Sequence, residues 1–248
     1  MPDEDDHQLA IRLATEAGHL LVRLRDELTA KSVPEWRVMD AGDLAAHQFL
    51  AAALADARPG DKLLSEEGAD DRSRLTADRV WIVDPLDGTS EYGEGRSDWA
   101  VHVALVSNGS AIAGAVALPS IGITLGTDPP PVVPPPTRTR PRMVTSRSRI
   151  TNVTMRIAKA LDAEIAPLGS AGAKAMAVVM GEADIYAHAG GQYEWDNCAP
   201  AAVALAAGMH ASRIDGTPLV FNKPDVWSPD FLICRADLAQ TCLDILWT

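Results

Sequence analysis

The segment VWIVDPLDGTSEY, residues 80–92, joins an apolar run to two acidic residues, Asp84 and Asp87. The run before them is rich in β-branched and aromatic residues and is typical of a buried strand. A proline stiffens the connection between the two carboxylates, and Gly88 follows them. An apolar strand that stops abruptly at carboxylates usually ends at a functional site, so this segment predicts one.

The composition limits the class of protein. The chain has 248 residues, of which 47% are apolar, and this suffices for one large domain or two smaller ones that share a core. The formal net charge of −12 disfavours nucleic acid as a partner, because proteins that track phosphates are usually basic. The apolar stretches are too short to span a bilayer, so no membrane partner is expected.

The N-terminus and the cysteines favour a cytoplasmic protein. The first residues, MPDEDDHQ, lack the basic region of a signal peptide. Cys198, Cys234 and Cys242 have no CxxC spacing, which favours a reducing compartment over a disulfide framework or a zinc site. We therefore expect a cytoplasmic chain with free thiols.

A proline-rich segment, residues 128–142, interrupts the chain and predicts a surface linker. The N-terminal half, residues 1–127, is expected to pack two helices on a mainly antiparallel sheet. The C-terminal half, residues 143–248, alternates strand and helix patterns, which indicates an α/β layering. The predicted fold class is therefore α/β (α+β).

Apolar periodicity and turn residues predict the individual elements. The predicted helices cover residues 6–28, 42–57, 150–162, 170–181, 197–208 and 236–247. The dipeptide Asn108-Gly109 predicts a hairpin between two strands. Short strands are also expected near 211–221 and 230–235.

Three acidic signals stand at predicted strand ends or helix starts. They are Glu66 with Glu67, Asp84 with Asp87, and Asp196. Proteins hold Mg²⁺ through a few carboxylates together with substrate phosphate oxygens and water. The three signals together therefore predict a magnesium site.

The residues after Asp87 predict a phosphate site beside the metal. Gly88 permits a backbone shape that other residues resist, and Thr89 and Ser90 would open a helical turn whose free N–H groups can receive a phosphate.

Each of these signals also has a purely structural interpretation. The Asp-Pro-x-Asp-Gly stretch is compatible with a surface turn, and the two glutamates are compatible with a solvated loop. Asp196 is compatible with a helix N-cap. Only the combination of the three favours a site.

Two motifs resemble the signatures of the inositol monophosphatase-like, lithium-sensitive phosphatases. WIVDPLDGT (81–89) resembles their first signature, and EWDNCAPAAVALAAG (194–208) resembles their second. LLSEEG (63–68) is similar to their Glu-Glu strand end, and the resemblance covers roughly residues 8–240. It implies a layered αβαβα sandwich and a phosphomonoesterase with two or three Mg²⁺ ions per site, for which Mn²⁺ is an alternative.

One branch of this family is the most similar. GSAGAKAMAVVMGEADIYAHAGGQYEWDNCAP (169–200) resembles the CysQ-type enzymes, which remove the 3′-phosphate of adenosine 3′,5′-bisphosphate in sulfur assimilation. Ala189 stands where inositol-specific relatives carry a glutamate, and this lowers the odds of an inositol phosphate substrate.

The resemblance implies roles for residues at matching positions. The implied metal ligands are the carboxylates of Glu66, Asp84, Asp87 and Asp196 and the carbonyl of Leu86. Thr89 and Asp43 match the pair that polarises the attacking water. Without the resemblance, Asp43 would be interpreted as a helix N-cap, and Asp40 stands where many relatives carry a threonine.

A bisphosphorylated nucleotide also requires a second anion site. Lys174, Ser170, Arg147 and Arg149 are its candidates, although the two arginines are equally compatible with an exposed basic strand end. The reacting phosphate and its metals are expected to contact Glu66, Leu86, Asp87, Gly88, Thr89, Ser90 and Asp196.

Two other functions stay open at this point. One is hydrolysis of inositol 1-phosphate or fructose 1,6-bisphosphate with the same metals. The other is an inactive regulator that binds metal or nucleotide. The expected partner in each case is a small phosphorylated molecule, and the protein is expected to be a monomer or a homodimer.

Overall fold

The computed structural model describes residues 4–147 and 150–247. Its α-helices are α1 (Asp6–Ala30), α2 (Glu35–Ala57), α3 (Thr89–Gly93), α4 (Asn152–Leu161), α5 (Ala171–Val179), α6 (Glu194–Ala206) and α7 (Ala239–Trp247). Its strands are β1 (Lys62–Ser65), β2 (Val80–Asp87), β3 (Ala100–Ser107), β4 (Ser110–Leu118), β5 (Ile123–Gly126), β6 (Arg142–Ser146), β7 (Glu164–Leu168), β8 (Ile185–Tyr193), β9 (His210–Ser212) and β10 (Trp227–Cys234).

The first sheet has the order β1-β2-β3-β4-β5. β1 and β2 are parallel, and the other neighbours are antiparallel. α1 and α2 cover one face of this sheet, where Leu9, Leu13 and Leu21 of α1 are fully buried together with Trp81 and Val103. The leucine spacing of α1 thus places one apolar stripe against the sheet.

The second sheet has the order β7-β6-β8-β10-β9. α5 and α6 lie between the two sheets, and their residues share one apolar cluster with strands from both. These two helices are rich in alanine, and every residue of α5 is buried, since small side chains let a helix pack on all sides. α4 and α7 pack on the outer face of the second sheet. The layers are therefore α, β, α, β and α, which confirms the predicted fold class.

Most of the predicted elements are confirmed, with two corrections. α2 begins at Glu35 rather than at residue 42, because its first turns are largely exposed and carry little apolar signal; Trp36 is 57% exposed. Only residues 210–212 of the region predicted as a strand near 211–221 pair with the sheet. Asn108 and Gly109 have φ of 50° and 76°, and they close the β3–β4 hairpin as predicted.

The segment between β5 and β6, residues 127–141, contains neither helix nor strand, and Val132 within it is 94% exposed. The division of the chain into two halves at this segment stays a prediction. Among the described helices, none combines the length and the hydropathy that a bilayer-spanning helix requires.

Leu13→Ala is expected to lower the free energy of unfolding by about 2–5 kcal/mol, because it removes buried methyl groups and leaves a cavity. Leu44→Ala removes the same atoms from a side chain of α2 that is 56% exposed. This control should change the free energy by no more than about 0.5 kcal/mol. Urea denaturation measures both, and equal effects would contradict the packing of α1 on the sheet.

Candidate active site

The site begins where β2 ends. Asp84 and Asp87 both belong to β2, where they pair with His102 and Ala100 of β3, and the register of the two strands shifts between them. Gly88 follows with φ of 92°, a left-handed conformation that a residue with a side chain rarely adopts. It is the N-cap of the short helix α3, which Thr89 begins.

Asp84, Asp87 and Asp196 each place one carboxylate oxygen within 4.8 Å of the others. β2 supplies the first two, and the first turn of α6 supplies Asp196. Asp84 also accepts a hydrogen bond from the Leu86 N–H (3.1 Å), and Asp196 accepts one from the Tyr193 N–H (2.6 Å). The backbone thus fixes Asp84 and Asp196 through one oxygen each, and such a set of hard oxygens fits a cation like Mg²⁺.

The electrostatics of the cluster favour a bound cation. Burial, followed by the charges of Asp87, Glu66 and Asp196, raises the pKa of Asp84 well above its ordinary value. Burial and the charge of Asp87 raise the pKa of Asp196 to about 6. Removal from water and the charge of Asp196 raise the pKa of Glu66 to about 7. These carboxylates repel each other, and a divalent cation would relieve that repulsion.

Glu66 stands beside this cluster rather than within it. It immediately follows β1, and its carboxyl lies within hydrogen-bonding reach of Asp84. Its oxygens are not among those that lie within 4.8 Å of one another. Glu66 therefore borders the acidic cluster at Asp84.

Asp87 differs from Asp84 and Asp196 because backbone N–H groups donate to both of its oxygens. The Ala171 N–H donates to Oδ1 (3.2 Å) and the Gly172 N–H to Oδ2 (2.6 Å), both from the first turn of α5. Nε2 of His102 also lies 3.1 Å from Oδ2. Burial raises the pKa of Asp87, but the charge and contact of His102 and the Gly172 N–H outweigh it, so the pKa is lowered.

The structure also brings Asp43 and Thr89 together. The Thr89 hydroxyl lies 3.3 Å from Oδ1 of Asp43 and 3.2 Å from the Leu86 carbonyl oxygen, and it donates to one of them at a time. Burial and the charge of Glu67 raise the pKa of Asp43 to about 7. Asp43 can therefore exchange a proton near neutral pH, as a general base must.

The two N-cap interpretations are wrong. Asp43 lies in the interior of α2, eight residues after its start, and Pro34 is the N-cap. The N-cap of α6 is Tyr193, whereas Asp196 is the third residue of the helix and accepts a hydrogen bond from the Tyr193 N–H.

Asp87 and Asp196 open into a cleft of about 510 Å³, whereas Asp43, Glu66, Asp84 and Thr89 are not among the residues that line it. Its lining contains the predicted residues Asp87, Gly88, Ser90, Arg147, Ser170, Lys174 and Asp196. A smaller cavity of about 340 Å³, beside α6 and β9, is lined mainly by apolar residues and contains none of them. The acidic cleft is therefore the candidate active site.

The candidates for a second anion site already have protein partners. Lys174 is 4% exposed, and its ammonium donates to the carbonyl oxygens of Gly169 and Ser170, the latter at 2.8 Å. Burial lowers its pKa to about 8. Arg147 pairs with Glu91 (2.8 Å) and Asp98 (2.5 Å). Ser170 is the N-cap of α5, and its hydroxyl accepts from the Ala173 N–H (3.0 Å).

Arg149 lies outside the described residues. Tyr186, His188 and Gln192 of β8 also line the cleft, although no sequence motif indicated them. His102 was not expected at the site either, although a histidine inside the apolar run of β3 is a signal, since such a strand normally buries only apolar side chains.

Comparisons with known proteins agree with this geometry. The profile of the inositol monophosphatase family matches residues 4–241. The 3′-phosphoadenosine 5′-phosphate phosphatase of Mycobacterium leprae (strain TN) is 47% identical over 97% of this chain and 93% of its own length. The 3′(2′),5′-bisphosphate nucleotidase CysQ of Escherichia coli (strain K12) is 29% identical over 90% of this chain and 96% of its own.

A solved structure shows the same arrangement of layers. The crystal structure of CysQ from Bacteroides thetaiotaomicron, a bacterial member of the inositol monophosphatase family, aligns with a TM-score of 0.75 and 27% sequence identity. The alignment covers 91% of this chain and 95% of that one. With a family profile that spans most of its length, the chain belongs to the inositol monophosphatase family.

Proposed function

We propose that this protein is a Mg²⁺-dependent phosphomonoesterase that removes the 3′-phosphate of adenosine 3′,5′-bisphosphate and releases AMP and phosphate. The observation that carries the proposal is the cleft itself. Two of the three convergent carboxylates, Asp87 and Asp196, line it together with the buried ammonium of Lys174. The third, Asp84, has an oxygen within 4.8 Å of both, and Thr89, which contacts Asp43, follows two residues after Asp87. A relative that covers nearly the whole chain at 47% identity is a 3′-phosphoadenosine 5′-phosphate phosphatase, which supports the nucleotide over other phosphate esters.

Asp84, Asp87 and Asp196 would hold the metal, with Glu66 and the Leu86 carbonyl beside them. When bound, Mg²⁺ supplies charge for the phosphoryl and leaving oxygens and acidifies a water molecule. The donor set consists of oxygens alone, which suits Mg²⁺ and Mn²⁺. Two or three ions per site stay a prediction.

The other residues position the water and the phosphate. Asp43 accepts the proton that the water loses, and the Thr89 hydroxyl, which contacts Asp43, orients that water. The N–H groups that follow Asp87, at Gly88, Thr89 and Ser90, donate to the phosphoryl oxygens as negative charge develops on them. No covalent intermediate is needed, because water attacks the phosphorus directly.

Phosphate release from three substrates tests the proposal. Catalytic efficiency should be highest on adenosine 3′,5′-bisphosphate and lower on inositol 1-phosphate and fructose 1,6-bisphosphate. A higher efficiency on either of the latter would move the assignment to a sugar or inositol phosphatase. Binding of the nucleotide without turnover in Mg²⁺ would indicate an inactive regulator.

Lys174→Ala should lower the efficiency on adenosine 3′,5′-bisphosphate and spare inositol 1-phosphate. A charge-assisted contact to the second phosphate contributes roughly 1.5–3 kcal/mol, which corresponds to about tenfold to a hundredfold. The ratio of the two efficiencies is measured in wild type and variant. Lys174→Met, which retains most of the apolar stem, should change the ratio in the same way.

An equal loss on both substrates would show that Lys174 supports α5 or the metals instead of the second phosphate. The ammonium of Lys174 already donates to the carbonyl oxygens of Gly169 and Ser170, so a structural role is the competing interpretation. The cytoplasmic location and the monomeric or dimeric state stay predictions.

A further inference from the structure

We propose that His102 is a positioning residue that fixes Asp87 relative to Asp196, and that it thereby sets the metal affinity of the cleft. The inference rests on the metal site of the proposed function. It concerns a residue that neither signature contains and that lies in the middle of β3.

His102 contacts both signature segments through its two ring nitrogens. Nδ1 lies 2.9 Å from the carbonyl oxygen of Trp195, and because a carbonyl only accepts, Nδ1 carries a proton. Nε2 lies 3.1 Å from Oδ2 of Asp87, an ion-pair distance, and makes no hydrogen bond within residues 4–147 and 150–247. Trp195 immediately precedes Asp196, so one buried ring connects the segments that carry Asp87 and Asp196.

The contacts of Asp87 restrict its orientation. A carboxylate has about four acceptor positions. Ala171 N–H occupies one on Oδ1 and Gly172 N–H one on Oδ2, and His102 Nε2 lies 3.1 Å from Oδ2. In this orientation one oxygen of Asp87 lies within 4.8 Å of an oxygen of Asp84 and of Asp196. Without His102, Oδ2 would have one partner fewer and the carboxylate more freedom to rotate.

The backbone of α5 leaves room for this ring. A Cβ at Gly172 would lie 2.1 Å from Nε2 of His102 and 2.8 Å from the Cβ of Ala100. The glycine at 172 is therefore required by the position of the imidazole against Asp87.

Packing alone does not account for a histidine here. His102 is 0% exposed, and its neighbours in β3, Val101 and Val103, are buried valines. An apolar side chain would fill the site without the cost of burying a polar ring. The position is explained by the contact with the metal ligand.

Two substitutions test the contacts of the two ring nitrogens separately. An Asn side chain places its amide near the position of Nδ1, and a Gln side chain places its amide near that of Nε2. His102→Asn should therefore keep the contact with Trp195 and lose the one with Asp87, whereas His102→Gln should do the reverse. Calorimetry of metal-free protein with Mg²⁺ alone, and Mn²⁺ titration followed by electron paramagnetic resonance, measure the affinity without substrate.

We expect His102→Asn to weaken metal binding by about tenfold to a hundredfold, as losses of partners behind metal ligands do. His102→Gln should bind metal almost as wild type does. Wild-type affinity in His102→Asn, or equal losses in both variants, would overturn the proposal. His210→Asn, on a half-buried histidine of β9 outside the cleft, is the matched control and should not change metal binding.

Gly172→Ala provides a second test if the His102 variants fold poorly, which circular dichroism and thermal unfolding would show. It leaves the imidazole chemically unchanged but forces the ring, or the Gly172 N–H beside it, away from Asp87, and it should weaken metal binding to a similar extent. Unchanged affinity in a folded Gly172→Ala variant would overturn the proposal. Because these measurements contain no nucleotide, their outcome is independent of which phosphate ester is the substrate.

Discussion

Asp87→Asn is expected to lower kcat by about 10²-fold or more on every phosphate monoester that the protein hydrolyses, comparable to removing a major electrostatic contributor to a transition state. Asp87 belongs to the acidic cluster and, unlike Asp84, has a lowered pKa. Its carboxylate is therefore expected to be ionised at neutral pH even without metal. The amide has a similar size but no charge, so the loss should be equal across substrates.

The control for Asp87→Asn is Asp184→Asn. Asp184 is also a buried carboxylate with a backbone N–H partner, Arg142 (2.7 Å), and a cationic partner, Arg235 (2.9 Å), but it lies outside the cleft. Its replacement should lower the thermal stability and leave kcat near that of wild type. Wild-type protein in EDTA, which removes the metal, should have the lowest activity of these samples. A kcat within about tenfold of wild type for Asp87→Asn would contradict a major role in transition-state stabilisation.

Asp43→Asn is expected to lower kcat by about 10²- to 10⁴-fold, the range for loss of a general base. The asparagine can still contact the Thr89 hydroxyl but cannot accept a proton from water. Metal affinity should change little, since the oxygens of Asp43 are not part of the acidic cluster. Single-turnover kinetics and metal calorimetry on the same preparation measure the two effects separately.

Asp40→Asn is the matched control for this substitution. Asp40 is exposed on the same helix, one turn earlier, and it acts on Asp43 only through its charge. Its replacement should change kcat little. If Asp40→Asn and Asp43→Asn lower kcat equally, the general base is not Asp43, and the half-buried carboxylate would instead stabilise α2 against α3.

Local patterns in the sequence determined the elements and the acidic residues at their ends. The leucine spacing of α1, the Asn108-Gly109 turn and the strand that stops at Asp84 are each decided by neighbours within a few residues. The two signatures indicated the family, and the family implied the αβαβα layers. The structure confirms this fold class. The exposed start of α2 had no such signal, because helix periodicity is visible only where one face is buried.

Only the tertiary structure decided which side chains meet. Asp43 contacts Thr89 across 46 residues, and Asp87 contacts Gly172 across 85. His102 stood in the sequence as one polar residue in a buried strand, and its role depends on α5 and α6 packing between the two sheets. A single sequence specifies short-range propensities directly, but contacts at such separations follow from how the layers pack, and they became visible only in the folded chain.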